Sequence, residues 1–216
     1  MKFVDRNSVP EPKSLSGEKA EHARQEVRDY LATDVKSRSQ HRLRPRVEIY
    51  RARDVRDGLL NLFDNACAYC ESPLNLTSSP DIEHFRPKSN AGNHRKSTRL
   101  EYYSWLAYEW DNLLLACQVC NRSKSNIFPV KGHRGDPGAP VHALRKSEDY
   151  SLIDPCYDHP HEHLKFFYDG NVEPKTKRGG ETIAVLDLNR ELLVSAREKA
   201  FTQAAGRLKT SPEEAT

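Results

Sequence analysis

Two Cys-x-x-Cys pairs constrain the fold of this chain more than any other feature of its sequence. Cys67 and Cys70 form the first pair, and Cys117 and Cys120 form the second. Four thiolates in two such pairs are the closed tetrahedral ligand set that structural zinc prefers. We therefore predict a structural zinc ion that holds both ends of the intervening segment, in preference to a set of unliganded core cysteines.

The N-terminal sequence and the use of cysteine indicate a reducing compartment. The first residues lack the apolar core of a secretory signal, and no apolar run is long enough to cross a bilayer. Paired cysteines in a reducing compartment bind metal more often than they form disulfides. We expect a soluble, cytoplasmic protein without a membrane partner, in which the fifth cysteine, Cys156, is a small buried residue.

The composition suits one compact domain with extensions. Of the 216 residues, 37% are hydrophobic and 30% are charged, which is polar for a globular protein. A bound metal or a partner surface should therefore contribute to stability. We predict an arm and helix over residues 1–46, a core over 47–135, and a C-terminal extension over 136–216 that packs on the core and is a candidate partner-binding region.

Basic residues are concentrated around the cysteine pairs. Residues 36–56 contain eight basic and two acidic residues, and residues 81–131 contain eight basic and five acidic residues. This distribution suits the approach of a polyphosphate, although a solvated basic face explains the first run equally well. The basic residues that we predict to contact phosphate groups are Arg86, Lys88, Arg122 and Lys124.

Apolar periodicity predicts a mixture of helices and short strands, which is the α+β class. The predicted helices cover residues 17–35, 47–65, 98–110, 119–126, 181–188 and 190–208. The predicted strands cover residues 82–85, 113–116 and 164–168, with a hairpin turn at 169–171. Residues 86–97 and 129–140 are predicted loops, because they are rich in breaker residues.

An acid–histidine pair, Glu83 and His84, lies between the two cysteine pairs. Adjacent residues of a strand point to opposite faces, so the two share one site only at a bulge or at the end of a strand. In that arrangement His84 would serve as a general base and Glu83 as an oxygen ligand for Mg²⁺. The simpler alternative is a surface pair without a function, but the position between the cysteine pairs favours the functional interpretation.

Two asparagines lie close to these motifs. Asn121 follows Cys120 directly, where its amide oxygen could face a bound cation, and the alternative is a helix N-cap. Asn112 follows Asp111, and we interpret it as the residue that pins the loop carrying His84, with simple turn chemistry as the alternative.

Three alternating histidines form a separate group. His159, His161 and His163 lie near Asp158. They are a candidate second metal site, but a solvent-exposed turn or strand is the interpretation that we favour.

Together these motifs resemble an HNH endonuclease of the ββα-metal (His-Me finger) superfamily. The matching residues are Cys67-x-x-Cys70, Ile82 to Pro87, Asp111-Asn112-Leu113, and Cys117-x-x-Cys120-Asn121-Arg122-x-Lys124. The resemblance implies a zinc-braced, treble-clef-like ββα-metal core with helical extensions before and after it. It also implies that His84 is the general base, that Glu83 and Asn121 bind the catalytic cation, and that Asn112 orients the active-site loop.

The chain departs from the plainest family pattern at two positions. Glu83 stands where that pattern has aspartate, and Asn121 stands where it has histidine. A neutral amide oxygen is a weak ligand for soft metals. The expected catalytic cofactor is therefore Mg²⁺ or Mn²⁺, while zinc is expected only at the four cysteines.

A wider similarity covers residues 47–200, most of the chain. The residues that carry it include Cys67 to Glu71, Leu152 to Cys156, and Leu186 to Arg190. These resemble the HNH proteins of bacterial Septu and retron-linked anti-phage systems. The resemblance implies a nuclease effector that is controlled by a partner ATPase of the ABC/SMC-like type.

The function that we expect is metal-dependent hydrolysis of phosphodiester bonds, with DNA as a more plausible substrate than RNA. A nuclease that cleaves RNA, such as a tRNA, is an alternative, because phosphate contacts carry no base information. A non-catalytic zinc module that binds nucleic acid and recruits another protein is the second alternative.

Overall fold

The computed structural model describes residues 1–40, 43–74, 80–93, 96–97 and 102–210. These residues mix helices with small sheets, which confirms the predicted α+β class. Within them, no helix is both long enough and apolar enough to span a bilayer. The helices are α1 (Lys13–Ser16), α2 (Glu18–Ala32), α3 (Val35–Gln40), α4 (Val47–Tyr50), α5 (Arg53–Leu62), α6 (Gln118–Lys124), α7 (Val141–Ser147), α8 (Pro160–His163), α9 (Lys177–Leu186) and α10 (Glu191–Thr210).

The strands pair into antiparallel sheets of two strands each. They pair as β1 with β4, β2 with β3, β5 with β6, and β7 with β8. Their bounds are β1 (Asp81–His84), β2 (Gly92–Asn93), β3 (Lys96–Ser97), β4 (Leu113–Ala116), β5 (Val130–Lys131), β6 (Asp149–Tyr150), β7 (Leu164–Phe166) and β8 (Val172–Pro174).

The sheet of β1 and β4 positions the motifs. Asp81 pairs with Ala116 and His84 with Leu113 in its antiparallel register. All four residues of β4 are buried, as expected for a short, continuous apolar run. Because α6 begins at Gln118, directly after this strand, it packs beside β1. The end of β1 that carries the acid–histidine pair therefore lies next to α6.

Helix α5 covers the central sheet with one apolar face. Val55, Leu59 and Leu62 are buried at helical spacing, and α5 packs against β4. Burial of an aliphatic side chain of this size contributes about 1.5–3 kcal/mol. This packing places the segment that leads to the first cysteine pair against the strand that leads to the second.

The N-terminal arm packs on the same core. The buried Arg6 donates a hydrogen bond from Nη2 to the carbonyl oxygen of Leu113 at 2.8 Å, and its guanidinium carbon lies 4.9 Å from the ring centroid of Trp110. The backbone N–H of Val4 donates to the carbonyl of Pro155 at 2.9 Å. The arm thus contacts both the central sheet and the C-terminal extension.

The predicted helix over residues 98–110 is wrong in the part that the structure describes. Residues 98–101 lie outside the described residues. The chain then forms turns and two short 3-10 helices, Ser104–Leu106 and Trp110–Asn112. Tyr103, which has a φ of 65°, precedes the first of these. Tyr103, Trp105 and Tyr108 are all buried, although one α-helix would point these side chains in different directions.

Other boundaries differ from the prediction for local reasons. The predicted helix over 47–65 is divided into α4 and α5 at residues 51–52, because Ala52, with a ψ of 154°, leaves the helical conformation. Gly58 lies within α5 and does not interrupt it. The predicted loops 86–97 and 129–140 contain the two-residue strands β2, β3 and β5. Strands of this length are too short to show a periodic pattern.

One hairpin and two helices of the C-terminal region follow the prediction, whereas the short helices α7 and α8 were not predicted. Strands β7 and β8 form the expected hairpin around Gly170, which has a φ of 82°. A Cβ atom on Gly170 would lie 2.0 Å from the carbonyl oxygen of Val194, so only glycine fits where this turn meets α10. Helices α9 and α10 confirm the two predicted helical segments, which are separated near Asn189.

Candidate metal centre and active site

The four paired cysteines meet at one point. All the sulfur atoms of Cys67, Cys70, Cys117 and Cys120 lie within 4.8 Å of one another. The Sγ atoms of Cys70 and Cys117 are 3.8 Å apart. Tetrahedral zinc with Zn–S bonds of about 2.3 Å requires sulfur atoms about 3.8 Å apart. The cluster can therefore hold a metal ion, and its all-sulfur donor set is consistent with zinc.

Local structure orients two of these sulfur atoms. Cys117 is the N-cap of α6, and its Sγ accepts a hydrogen bond from the backbone N–H of Cys120 at 3.4 Å. Nη2 of Arg190, just before α10, lies 3.6 Å from the Sγ of Cys120. Four thiolates around a divalent cation carry net negative charge, which this guanidinium partly neutralises. Arg190 therefore links the C-terminal helices to the metal centre.

The Arg190→Met variant is expected to bind zinc about 10–100-fold more weakly, because partners of metal ligands tune affinity by this amount. Competition with a chromogenic zinc chelator measures the change. Arg53→Met is the matched control, since the Arg53 side chain is 94% exposed. Equal zinc retention by Arg190→Met and the control would show that the contact has no effect on the metal centre.

A cavity of about 440 Å³ lies between the end of β1 and α6, the helix that also carries Cys120. Three residues predicted to act in catalysis or cation binding, Glu83, His84 and Asn121, all line it. The adjacent residues Glu83 and His84 share the cavity because they lie at the end of β1, as the functional interpretation required. The other lining residues are Pro87, Lys88, Ser89, Asn90, Arg122, Ser125 and Asn126.

His84 is held in one orientation and in its neutral form. Its Nε2 lies 3.0 Å from the carbonyl oxygen of Ala107, and since a carbonyl only accepts, Nε2 carries the proton. The ring of Tyr50 packs against it with its centroid 4.8 Å away, nearly perpendicular. Burial lowers the pKa of His84 well below 6.5, and the charge of Lys88 lowers it further. The Nδ1 atom is therefore an unprotonated base.

The two predicted cation ligands, Glu83 in β1 and Asn121 in α6, each form a hydrogen bond with a residue of the opposite element. Glu83, which is buried, accepts a hydrogen bond at Oε1 from Nζ of Lys124 at 2.6 Å. Burial raises the pKa of the Glu83 carboxyl, while Lys124 acts in the opposite direction. Asn121 lies within α6 rather than at its N-cap, and its Nδ2 donates to Oδ2 of Asp81 at 2.8 Å.

Asp81 is a residue that the sequence analysis missed. It lies two positions before Glu83 in β1. Residues two apart in a strand share a face, so this spacing was the available signal. Its partner could not be inferred, because the contact to Asn121 depends on how α6 packs.

Asn112 holds the backbone that follows His84. It is fully buried, and its Oδ1 accepts a hydrogen bond from the N–H of Arg86 at 2.8 Å. Its Nδ2 donates to the carbonyl oxygens of Arg86 at 3.0 Å and Leu106 at 3.2 Å. Asn112 therefore joins the backbone that follows His84 to the segment of Leu106, and its role in orienting an active-site loop remains a prediction. Asn112 does not itself line the cavity.

The structure separates the four predicted phosphate contacts into two groups. Lys88 and Arg122 line the cavity. Arg86 and Lys124 are fully buried and form ion pairs inside the protein, Arg86 with Glu148 at 2.9 Å. Neither buried cation can reach a phosphate group in this conformation, so the assignment of these two to phosphate binding is wrong.

The buried Arg86–Glu148 pair leads to a prediction about stability. Glu148 also accepts hydrogen bonds from the hydroxyl of Tyr103 and the N–H of Gly135. Glu148→Gln would leave the Arg86 charge buried without a counter-ion, which typically costs about 3–5 kcal/mol. Urea unfolding of the zinc-loaded protein measures the loss. Glu162→Gln, at an exposed residue, is the control, and equal midpoints for the two variants would contradict the prediction.

The histidine group does not form a second metal site. His159 and His161 have ring centroids 5.7 Å apart, while Nδ1 of His163 contacts Oγ1 of Thr176 at 2.8 Å. Within the described ranges, the four cysteines are the only set of three or more histidine, cysteine or acidic side chains close enough to hold a metal ion.

Cys156 is buried as predicted, and burial raises the pKa of its thiol to about 12.

Comparison with known proteins identifies the chain as a homologue of Septu proteins. No family model matches the sequence. The Septu protein PtuB of Bacillus mycoides (strain KBAB4) is 42% identical over 157 residues, which cover 70% of this chain and 52% of the relative. The Septu protein PtuA of the same strain is 37% identical over 145 residues, covering 65% of this chain and 20% of the relative.

A second PtuB, from Bacillus thuringiensis, is 29% identical over 137 residues, covering 63% of this chain and 41% of the relative. The chain thus spans about half, or less, of the length of these curated relatives. The homology agrees with the Septu part of the sequence resemblance. The HNH nuclease identity remains a prediction.

Proposed function

We propose that this protein is a metal-dependent HNH endonuclease with a ββα-metal core formed by β1, β4 and α6. The observation that carries the proposal is that Glu83, His84 and Asn121 line one cavity, and that Asn121 directly follows Cys120 of the cysteine cluster. An unprotonated imidazole nitrogen and two oxygen donors in one place are the groups that hydrolysis of a phosphodiester needs. The four cysteines keep this constellation in place by joining its two ends.

In this proposal His84 acts as the general base. Its Nδ1 accepts a proton from a water molecule that attacks the phosphorus in line with the leaving 3′ oxygen, and the product carries a 5′-phosphate. The hydrogen bond to Ala107 keeps the proton of the neutral ring on Nε2 and therefore keeps Nδ1 unprotonated. Lys88 and Arg122 are the cations of the cavity that are placed to contact the nucleic-acid backbone.

The donor set fits a hard divalent cation. Glu83 offers a carboxylate and Asn121 an amide oxygen, and Mg²⁺ is commonly held by one or two such protein oxygens together with water and substrate phosphate. When bound, Mg²⁺ or Mn²⁺ would stabilise negative charge on the leaving oxygen. Zinc would be confined to the cysteine cluster, since thiolates are the ligands that it prefers.

The Septu homology supports a biological role for this activity. We propose that the protein is the nuclease effector of a bacterial anti-phage defence system, that it acts in the cytoplasm, and that an ABC/SMC-like ATPase of the same system controls it. DNA is the proposed substrate, and RNA is the alternative.

A cleavage assay tests the proposal and its alternatives. The zinc-loaded protein, with and without the ATPase of its system, is incubated with plasmid DNA or total tRNA in Mg²⁺, Mn²⁺ or EDTA. Cation-dependent cutting of DNA is the expected result. Cutting of tRNA alone would replace DNA by RNA as the substrate, and the absence of any cutting by folded protein would favour the recruitment module.

A further inference from the structure

Lys124 and Asn121 of α6 both make polar contacts to β1 at the candidate active site. Lys124 donates from Nζ to Oε1 of Glu83 at 2.6 Å and to the carbonyl oxygen of His84 at 3.0 Å. Asn121 donates from Nδ2 to Oδ2 of Asp81 at 2.8 Å. Asp81 and Glu83 share a face of β1, and Asn121 and Lys124 are one helical turn apart. The contacts of Lys124 and the contact of Asn121 therefore run side by side between β1 and α6.

The contact to Asp81 determines which way the Asn121 amide faces. A carboxylate can only accept hydrogen bonds, so the NH₂ group of Asn121 must face Asp81. The amide oxygen is consequently turned away from Asp81. Only the oxygen of an amide binds Mg²⁺ or Mn²⁺, and without Asp81 the amide could rotate and present its nitrogen instead.

The contact to Lys124 holds the second ligand. The Lys124 side chain is fully buried and the Glu83 side chain is 8% exposed. A buried ammonium group is costly unless it is paired, so its position is set by the two oxygens that it contacts. By binding one carboxylate oxygen of Glu83 and the backbone oxygen of His84, Lys124 fixes the carboxylate relative to the general base.

We propose that Asp81 and Lys124 are positioning residues that hold Asn121 and Glu83 in the orientation that receives the divalent cation. This inference rests on the proposed function, since it concerns the same site. Removal of the partner of a metal ligand typically weakens metal binding 10–100-fold. Variants of Asp81 or Lys124 should cleave more slowly because the cation site is only partly occupied. A higher cation concentration should therefore restore most of the maximal cleavage rate.

The test measures binding of Mn²⁺ without any substrate. Zinc-saturated wild-type protein and the variants Asp81→Ala and Lys124→Met are titrated with Mn²⁺, and the free ion is followed by electron paramagnetic resonance. We expect Kd to rise about 10–100-fold in each variant. Lys131→Met and Asp149→Ala, at exposed residues that pair across the β5–β6 sheet, are matched controls and should bind Mn²⁺ as the wild type does.

The outcomes separate this inference from the proposed function. Tight binding by the wild type and weak binding by both variants, without any nuclease activity, would retain the positioning role and overturn the nuclease. Unchanged Kd values in the variants, or no Mn²⁺ binding by the wild type, would overturn the positioning role. If Lys124→Met fails to fold, the Kd of Asp81→Ala for Mn²⁺ still tests the positioning role. Asp81 is only half-buried, so its replacement should leave the protein folded.

Discussion

Cys117→Ser is expected to abolish the cooperative folding of this protein. The replacement removes one of the four sulfur atoms that meet at the metal centre. Structural zinc in small domains contributes about 10–16 kcal/mol to folding, which is as large as the total stability of a typical domain, about 5–15 kcal/mol. The variant should lose its bound zinc and its thermal unfolding transition, as measured by metal analysis and near-ultraviolet circular dichroism.

Cys156→Ser is the matched control for this experiment. Cys156 is buried but lies outside the cluster, so the same replacement should retain zinc and a cooperative transition. Treatment of the wild type with a strong chelator should reproduce the behaviour of Cys117→Ser. A Cys117→Ser protein that melts like the control would show that the cluster does not stabilise the fold.

His84→Ala is expected to lower the rate of nucleic-acid cleavage by about 10²–10⁴-fold, which is the usual contribution of a general base. Among the described residues that line the cavity, His84 is the histidine, so no other described imidazole is placed for this role. Single-turnover cleavage at saturating Mg²⁺ measures the chemical step. The variant should still bind zinc, because His84 is not part of the cysteine cluster.

His133→Ala provides the comparison, because His133 is exposed and lies away from this cavity. Its rate should equal that of the wild type. The thermal transitions of both variants must be recorded, since His84 is buried against Tyr50 and its loss creates a small cavity. A folded His84→Ala protein with the wild-type rate would exclude His84 as the base.

The parts of the site that depend on local sequence were predictable. The spacing of each Cys-x-x-Cys pair and its position next to a strand or helix were sufficient to predict the cysteine cluster. The apolar runs before His84 and Cys117 similarly predicted β1 and β4, because short buried strands have a clear composition. The end of a strand was one of the two places, beside a bulge, where Glu83 and His84 could face the same cavity, and the structure has them there.

The parts that depend on long-range packing were not predictable from local pattern. Arg86 and Lys124 were assigned to phosphate by their position next to the motif, but each is paired with an acid distant in the sequence. A cation can be buried when it has such an acidic partner, and the periodicity of apolar residues in the sequence does not reveal that partner. The helix predicted over the aromatic segment before Asn112 was wrong for a related reason. The side chains of this segment are buried in several directions, so their burial does not follow a helical period.

We propose that this protein hydrolyses a phosphodiester with His84 as base and a divalent cation as cofactor. The most direct measurement is cleavage of duplex DNA, with tRNA in parallel, by the zinc-loaded protein and its ATPase in H₂¹⁸O, followed by mass spectrometry of the new ends. We expect Mg²⁺- or Mn²⁺-dependent cleavage of DNA that places one ¹⁸O atom in each new 5′-phosphate, and we expect this cleavage to be nearly absent with His84→Ala. Folded protein that gives no product with either cation, or products with 5′-hydroxyl ends, would contradict it.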